Sequence, residues 1–103
     1  MSEGIVYILT NEAMPDYIKI GITESDVIDR IKSLDNTSLP LPFECFYAGK
    51  VSDYKKVEKL LHDAFDDHRV RSSREFFTIA PERAKAALLI ANPVDVTPRE
   101  EQI

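Results

Sequence analysis

Two side chains that could take part in catalysis, Glu58 and His62, lie four residues apart in a segment with helical periodicity. Residues at this spacing project from one side of a helix, so the carboxylate and the imidazole can converge on one site. With Val57 at zero on the helical wheel, Glu58 falls at about 100° and His62 at about 140°, on the flank of the apolar stripe. Asp63 and Asp66, at about 240° and 180°, fall on the exposed side and are not chosen as ligands. A single carboxylate at the rim suits Mg²⁺, which commonly binds through one or two carboxylates and keeps several waters.

A second polar group lies near the start of the chain, where residues 4–9 and 17–22 alternate in the manner of two paired β-strands. In the second of these, Tyr17, Lys19 and Gly21 share one face, and the other face carries three isoleucines. The aliphatic face is the natural core face. The opposite face therefore suits the floor of a polar cleft, where Gly21 leaves room for a close approach to the backbone.

Arginines at two places in the chain could contact a phosphate. Arg30 falls about 40° from the edge of the apolar stripe of a predicted helix, so its guanidinium lies at the rim of a buried face. An ion pair with Asp26, four residues earlier, is the alternative interpretation. The segment 68–74 has three further arginines and no acidic residue, and it is either a phosphate-docking surface or a solvated loop. These are Arg69, Arg71 and Arg74.

The elements that must position these side chains follow from periodicity, which predicts an α+β fold. Period-two alternation predicts a small, mostly antiparallel sheet of three to four strands, and helical spacing of apolar residues predicts flanking helices. The expected strands span about residues 4–10, 17–22, 43–51 and 75–79, and the expected helices about 25–35, 53–68 and 81–91. Thr23 or Ser25 is expected to cap the first helix.

The third strand is expected to alternate between its two faces. Phe43, Cys45 and Tyr47 should lie on one side, and Phe46 and Ala48 on the other. We expect residues 1–91 to form a single domain. Residues 92–103 contain charged clusters without a periodic pattern, so we expect a frayed acidic tail.

Composition limits the class of protein. A chain of 103 residues with 44% hydrophobic content is long enough for one modest core. The net charge of −5 argues against a protein that coats nucleic acid by bulk charge, although it leaves room for a local basic site. The lone Cys45 is expected to be a buried structural thiol. No apolar stretch is long enough to span a bilayer and the start lacks a secretory pattern, so a cytoplasmic location without membrane association is expected.

The order of these features resembles the GIY-YIG nuclease family, most closely its small branch in phage and bacterial proteins and in a meiotic fungal protein. Residues 4–7 match the first signature with Val6 inserted before the tyrosine, and Lys19-Ile20-Gly21 matches the second with lysine in place of tyrosine. A helical arginine, a helix containing Glu-Lys-Leu-Leu-His and the string Arg-Glu-Phe-Phe follow in order. The resemblance covers about residues 4–90.

This resemblance implies a divalent-metal-dependent DNA endonuclease that hydrolyses phosphodiester bonds at a single-metal site. In that family the signature tyrosines position or deprotonate the water, the helical arginine steadies the phosphate, and a glutamate holds the metal. Carried over residue by residue, the catalytic group is Tyr7, Lys19 in the second tyrosine's place, Arg30 and Glu58, with Tyr17 as a substitute hydroxyl and His62 as a second acid/base or phosphate contact.

Three expectations complete this hypothesis. The metal is Mg²⁺ or Mn²⁺ on Glu58, with Glu75 as the alternative ligand. DNA is the expected partner, and a homodimer would supply two active sites for the two strands. The expected DNA contacts are Lys19, Arg30, Arg69, Arg71 and Arg74. The alternative is a catalytically inactive module of the same fold that binds nucleic acid or a protein.

Overall fold

The computed structural model describes residues 3–34, 41–70 and 75–98, which form a sheet with helices on both faces. The α+β prediction is confirmed, with one strand more than expected. No helix in the described ranges is long and apolar enough to cross a membrane. The strands are β1 (Gly4–Thr10), β2 (Ile18–Thr23), β3 (Glu44–Val51), β4 (Phe76–Phe77) and β5 (Val94–Asp95). The helices are α1 (Val27–Leu34), α2 (Tyr54–Ala64) and α3 (Pro81–Leu89), and a 3₁₀ turn, Asp66–His68, follows α2.

The sheet has the order β4-β2-β1-β3-β5, and all neighbouring strands are antiparallel. Strand β1 lies at the centre, and its sequence explains why. Four consecutive residues, Val6, Tyr7, Ile8 and Leu9, have no exposed surface. A strand with apolar side chains at every position buries both of its faces, so it is stable only where helices cover the sheet on both sides.

Helices α2 and α3 cover one face of the sheet. On this face Ile18 and Ile20 of β2 pack with Ile8, with Leu61 of α2 and with Leu88 of α3. The prediction that the aliphatic face of the second strand is a core face is therefore confirmed. This is the larger of the two buried clusters, and it holds α2 against the sheet next to β2.

Helix α1 covers the other face, through Val27 and Ile31 packed with Tyr7, Leu9 and Phe43. The apolar stripe of α1 needs a partner surface, and β1 and β3 offer Tyr7, Leu9 and Ala48 there. In β2, beside this helix, the same face carries Lys19 and Gly21. The polar cleft expected on this face of β2 stays a prediction.

A β-bulge in β3 overturns the predicted alternation of that strand. Ile8 pairs with Tyr47 and Leu9 with Cys45, so Phe46 is an extra residue in the ladder. One extra residue reverses the side of every later side chain. Tyr47 accordingly packs under α2 and α3, whereas Ala48 packs under α1 with Phe43, the reverse of what strict alternation predicts.

The segment after α3 is ordered against the sheet through residue 97. Val94 and Asp95 form β5 on the edge of β3, and the Thr97 hydroxyl accepts the backbone N–H of Ala48 at 2.9 Å. The expected acidic tail is therefore wrong for residues 94–97, which extend the sheet beyond the predicted end of the domain. Residues 99–103, also assigned to that tail, lie outside the described residues.

The first two helices are shorter than predicted. Helix α1 is capped by Asp26, whose Oδ2 accepts the backbone N–H of Asp29 at 3.3 Å. The predicted cap Thr23 instead accepts the N–H of Ser25 at 3.1 Å, which tightens the turn before the helix. Helix α2 ends at Ala64, and the predicted final turn is 3₁₀.

Candidate functional site

The side chain of Tyr7 lies across β2 rather than above its own strand. Tyr7 pairs with Gly21 in the ladder between β1 and β2. A Cβ atom at residue 21 would lie only 2.5 Å from the Tyr7 hydroxyl oxygen and 2.6 Å from the ring carbon that carries it. The sequence prediction that Gly21 leaves room for a close approach is confirmed, and the group that occupies this room is the Tyr7 ring.

We expect Gly21→Ala to destabilise the protein, because the added methyl group overlaps a side chain that has no exposed surface. Overpacking of this kind costs about 1–3 kcal/mol. The free energy of unfolding from urea titration measures the effect. A double-mutant cycle with Tyr7→Leu provides the control, since removing the ring should remove most of the cost of the alanine. Equal costs in the two backgrounds would contradict the proposed clash.

The Tyr7 hydroxyl and Arg30 of α1 are in contact. The Nε–H of Arg30 donates to the Tyr7 hydroxyl oxygen across 3.3 Å. The guanidinium is therefore directed to Tyr7, whereas the Asp26 carboxylate, its alternative partner, accepts the backbone N–H of Asp29. The guanidinium has four further N–H donors, on its two Nη atoms.

Burial raises the pKa of the Tyr7 phenol above its usual value. The hydrogen bond and charge of Arg30 oppose this shift, and the carboxylates of Glu75 and Glu58 add to it. The phenol is therefore neutral at physiological pH. Burial keeps the proton on the hydroxyl, whose oxygen accepts from Arg30, so in this state Tyr7 orients the guanidinium and is not a base.

Lys19 is buried on the same face of β2, with 7% of its surface exposed. Its ammonium lies 3.1 Å from Glu75 Oε2 and 5.1 Å from the centre of the Phe76 ring. A buried ammonium needs such a counter-charge to offset the loss of its hydration. The pairing register brings these groups together, because β4 places Phe76 directly opposite Lys19 and Glu75 comes one residue earlier.

Glu58 and His62 approach β2 from the opposite face, on the flank of α2. Glu58 Oε2 lies 3.9 Å from His62 Nε2, and the two side chains are 20% and 13% exposed. Burial raises the pKa of Glu58, and Glu75 raises it further, while His62 and Lys19 lower it. The predicted convergence of Glu58 and His62 is thus present, and Glu75 is close enough to act on the carboxylate.

These two residues line an open cleft of about 530 Å³, together with Glu75 and Arg69. Two more residues of α2 line it that sequence analysis did not select, Lys59 and Asp63. They form an ion pair of 2.8 Å. The position of Lys59 on the helical wheel, about 60° from His62, could have predicted that it lies near the same site.

The edge of β2 explains how side chains from both faces come close together. Strand β4 has only two residues and pairs with Ile18 and Lys19 alone. Glu75 lies next to this short strand, and its carbonyl accepts the N–H of Ile20 at 2.9 Å. Its charge acts on Tyr7 and Arg30 on one side and on Glu58 on the other.

Not every predicted site residue joins this group. Tyr17 directly precedes β2 and is 39% exposed. It lies two residues before Lys19 and four before Gly21 in the sequence. A substitute catalytic role for it stays a prediction. Arg69 lies on the cleft, with its guanidinium 5.4 Å from the centre of the Phe77 ring and its Nε 3.4 Å from Asp66. Arg71 and Arg74 lie outside the described residues.

The carboxylates at the cleft fit only certain metal ions. Within residues 3–34, 41–70 and 75–98, no group of three or more His, Cys, Asp or Glu side chains is placed to hold a metal. A tetrahedral zinc site of protein ligands is therefore not formed by these residues. Glu58, with Glu75 nearby, fits a hard cation that takes most of its ligands from water and phosphate. Burial raises the pKa of Glu58 by more than His62 and Lys19 lower it, so added positive charge would stabilise the ionised carboxylate.

Comparisons with known proteins identify the family of this chain. No curated protein and no solved structure matches the chain. The model of the T5orf172 domain matches residues 4–91, which include β1 through α3 and every candidate site residue named above. Because this match covers most of its length, the chain belongs to the T5orf172 domain family, a domain found in phage and bacterial nuclease-like proteins.

Proposed function

We propose that this protein is a divalent-metal-dependent DNA endonuclease of the GIY-YIG type, which hydrolyses phosphodiester bonds at a single-metal site. The observation that carries the proposal is the grouping of a hydroxyl, a guanidinium and carboxylates around the β2 edge. Tyr7 and Arg30 are in contact there, and the charges of Glu58 and Glu75 act on the phenol.

Arg30 supplies the positive charge that a phosphodiester needs in the transition state. As negative charge develops on the phosphate oxygens, preorganised donors stabilise it without further rearrangement. Tyr7 fixes the guanidinium through Nε, so the fork is oriented before DNA arrives. The role of Tyr7 in this proposal is to orient Arg30.

Glu58 would hold the metal ion, with Glu75 as a second carboxylate within electrostatic range. When bound, Mg²⁺ or Mn²⁺ supplies charge that stabilises the attacked phosphate. Three carboxylates line the cleft, those of Glu58, Asp63 and Glu75. Two permanent cations, Lys59 and Arg69, line it as well. Lys59 pairs with Asp63 and Lys19 with Glu75, so the half-buried carboxylate of Glu58 is the charge that disfavours a phosphate, and a bound divalent cation would reverse this.

A second function is favoured by the burial of two signature residues. Tyr7 has no exposed surface, and Lys19 is neutralised by Glu75. These features suit a catalytically inactive module of the same fold that binds nucleic acid or a protein. Such a module would bind DNA weakly and with strong salt dependence, because the chain has a net charge of −5.

The test is a cleavage assay on supercoiled plasmid and on labelled single-stranded, duplex and branched DNA. We expect nicks or breaks in Mg²⁺ or Mn²⁺ and none after EDTA treatment, since the acidic cleft cannot hold a phosphate without the metal. The Glu58→Gln variant, purified identically, controls for contaminating nucleases. Binding without cleavage across a panel of metals would favour the inactive module, and equal cleavage by both proteins would assign the activity to a contaminant.

A further inference from the structure

The backbone of Ile20 is the point where the α2 side of the site meets β2. Its N–H donates to the Glu75 carbonyl at 2.9 Å. Its carbonyl oxygen lies 3.1 Å from Nε2 of His62, a residue forty-two positions later in the chain. Glu75 directly precedes β4, so the imidazole of His62 reaches the β2 backbone beside the start of that strand.

The hydrogen bond to Ile20 fixes the proton on the imidazole. A carbonyl oxygen can only accept, so Nε2 at this distance must be the donor. The ring is held from a second direction by Phe77, whose centre lies 5.2 Å from the centre of the imidazole at an interplanar angle of 47°. With 13% of the His62 side chain exposed, the ring has little freedom to turn and exchange the roles of its nitrogens.

The same nitrogen also faces the proposed metal ligand. Glu58 Oε2 lies 3.9 Å from Nε2, one helical turn earlier on α2. The Nε2–H group therefore lies between a backbone acceptor on β2 and the carboxylate on α2. A nitrogen in this position has no lone pair for a metal ion and cannot accept a proton from an attacking water.

We propose that His62 is a positioning residue, whose Nε2–H ties α2 to Ile20 of β2 and thereby holds Glu58 at the cleft. In this arrangement Nε2 is committed to Ile20 and is not the acid, base or phosphate contact that we expected His62 to supply. The expected effect on cleavage rests on the function proposed above. The expected Nε2–H tautomer of His62 rests only on the hydrogen bond to Ile20. Outer-shell groups of this kind orient the carboxylates and imidazoles that bind metals, and their removal typically lowers metal affinity by about 10- to 100-fold.

The first experiment is long-range ¹H–¹⁵N NMR of the histidine rings at neutral pH. We expect His62 in the Nε2–H tautomer, with the His62→Gln spectrum used to assign its signals. The protein has only one other histidine, His68, which is more exposed and provides an internal comparison. An Nδ1–H tautomer for His62 would overturn the proposal, whether or not the protein cuts DNA.

The second experiment compares two variants with opposite hydrogen-bonding ability. His62→Gln retains an N–H donor at nearly the position of Nε2, and His62→Phe retains a ring against Phe77 but has no donor. We expect His62→Gln to stay within about threefold of the wild type in cleavage, with an unchanged pH profile. His62→Phe should need about 10- to 100-fold more Mg²⁺ for half-maximal cleavage. Both are measured at a temperature where circular dichroism shows them folded.

A role for His62 in proton transfer predicts a different result. If His62 transferred a proton, both variants would lose about 10²–10⁴-fold in rate and one limb of the pH profile. Loss of that size in His62→Gln would overturn the proposal. If the wild type does not cleave DNA, the proposed function fails while the NMR result still decides the role of His62. In that case Mn²⁺-induced broadening of Glu58 signals, weakened in His62→Phe and retained in His62→Gln, replaces the cleavage readout.

Discussion

Arg30→Ala is expected to slow DNA cleavage by about 10²–10³-fold, the usual loss when one preorganised donor to a developing negative charge is removed. Arg30 is half-buried, and its Nε–H donates to the Tyr7 hydroxyl. The loss should appear in kcat, because charge on the phosphate oxygens is greatest in the transition state. Single-turnover cleavage of labelled DNA at saturating Mg²⁺ measures this rate.

Lys32 on the same helix provides a matched control. It is exposed, and Lys32→Ala removes the same unit of charge only two residues away. Arg30→Lys keeps the charge but loses the planar fork, so we expect an intermediate rate. Equal losses in Arg30→Ala and Lys32→Ala would indicate a general effect of charge on DNA binding. Unchanged cleavage in Arg30→Ala would remove Arg30 from the site.

A double mutant separates two roles for Tyr7. If the phenol acts through Arg30, Tyr7→Phe in the Arg30→Ala background should cause little further loss, because the group it orients is already absent. A base that took a proton from water independently would show a full additional loss. The structure favours the first outcome, since burial raises the pKa of Tyr7 and Arg30 donates to its oxygen.

The main elements of the fold could be predicted because each hydrophobic pattern is local. Ile18 and Ile20 alternate with polar residues, and the apolar stripe of α2 recurs at helical spacing. Each pattern specifies one buried face, and the sheet and helices form by bringing these faces together. This accounts for the correct order of β1, β2, α1, β3 and α2.

The failures in the fold come from pairings between distant segments. The bulge at Phe46 depends on how β3 meets β1, and no residue near it in sequence signals the extra residue. Strand β5 has two exposed residues, so it carries no hydrophobic pattern. It is held by backbone bonds to β3 and by Thr97, which sequence periodicity cannot detect.

The candidate site divides in the same way. Glu58 and His62 lie on one helix, so their spacing alone predicted their proximity. The pairing of Lys19 with Glu75 depends on the register of a two-residue strand, and the sequence offered Glu75 only as an alternative metal ligand. The contact of Arg30 with Tyr7 exists because Gly21 lets the ring cross β2, and this required the pairing of β1 with β2.

Glu58→Gln is expected to remove metal-dependent cleavage while making the protein more stable at neutral pH. The amide keeps the shape of the side chain but lacks the charge that holds a divalent cation, so we expect a loss of about 10²–10³-fold in rate. The gain in stability follows from burial, which raises the pKa of Glu58 in the folded state. Ionising the carboxylate at neutral pH therefore costs the folded state free energy, and glutamine removes this cost.

The pH dependence of this stability difference has a definite sign. A carboxylate with a raised folded-state pKa stabilises the fold below its unfolded pKa, and this contribution is lost as pH rises through the folded pKa. In urea titrations the midpoint of Glu58→Gln should therefore exceed that of the wild type at pH 7, and the difference should decrease as the pH falls to about 4. The exposed Glu82 on α3 provides the control, since Glu82→Gln should show no such trend.

Added Mg²⁺ completes the test, because a ligand that binds only the folded protein raises its stability by mass action. We expect Mg²⁺ to raise the urea midpoint of the wild type and of Glu82→Gln, and to leave Glu58→Gln unchanged. The Glu58→Gln substitution and Mg²⁺ binding would then stabilise the protein for the same reason. The substitution removes the unfavourable charge of the half-buried Glu58 carboxylate, and the metal offsets it. A wild type that Mg²⁺ does not stabilise would contradict Mg²⁺ binding to the folded protein. A Glu58→Gln variant that Mg²⁺ stabilises equally would place the metal elsewhere.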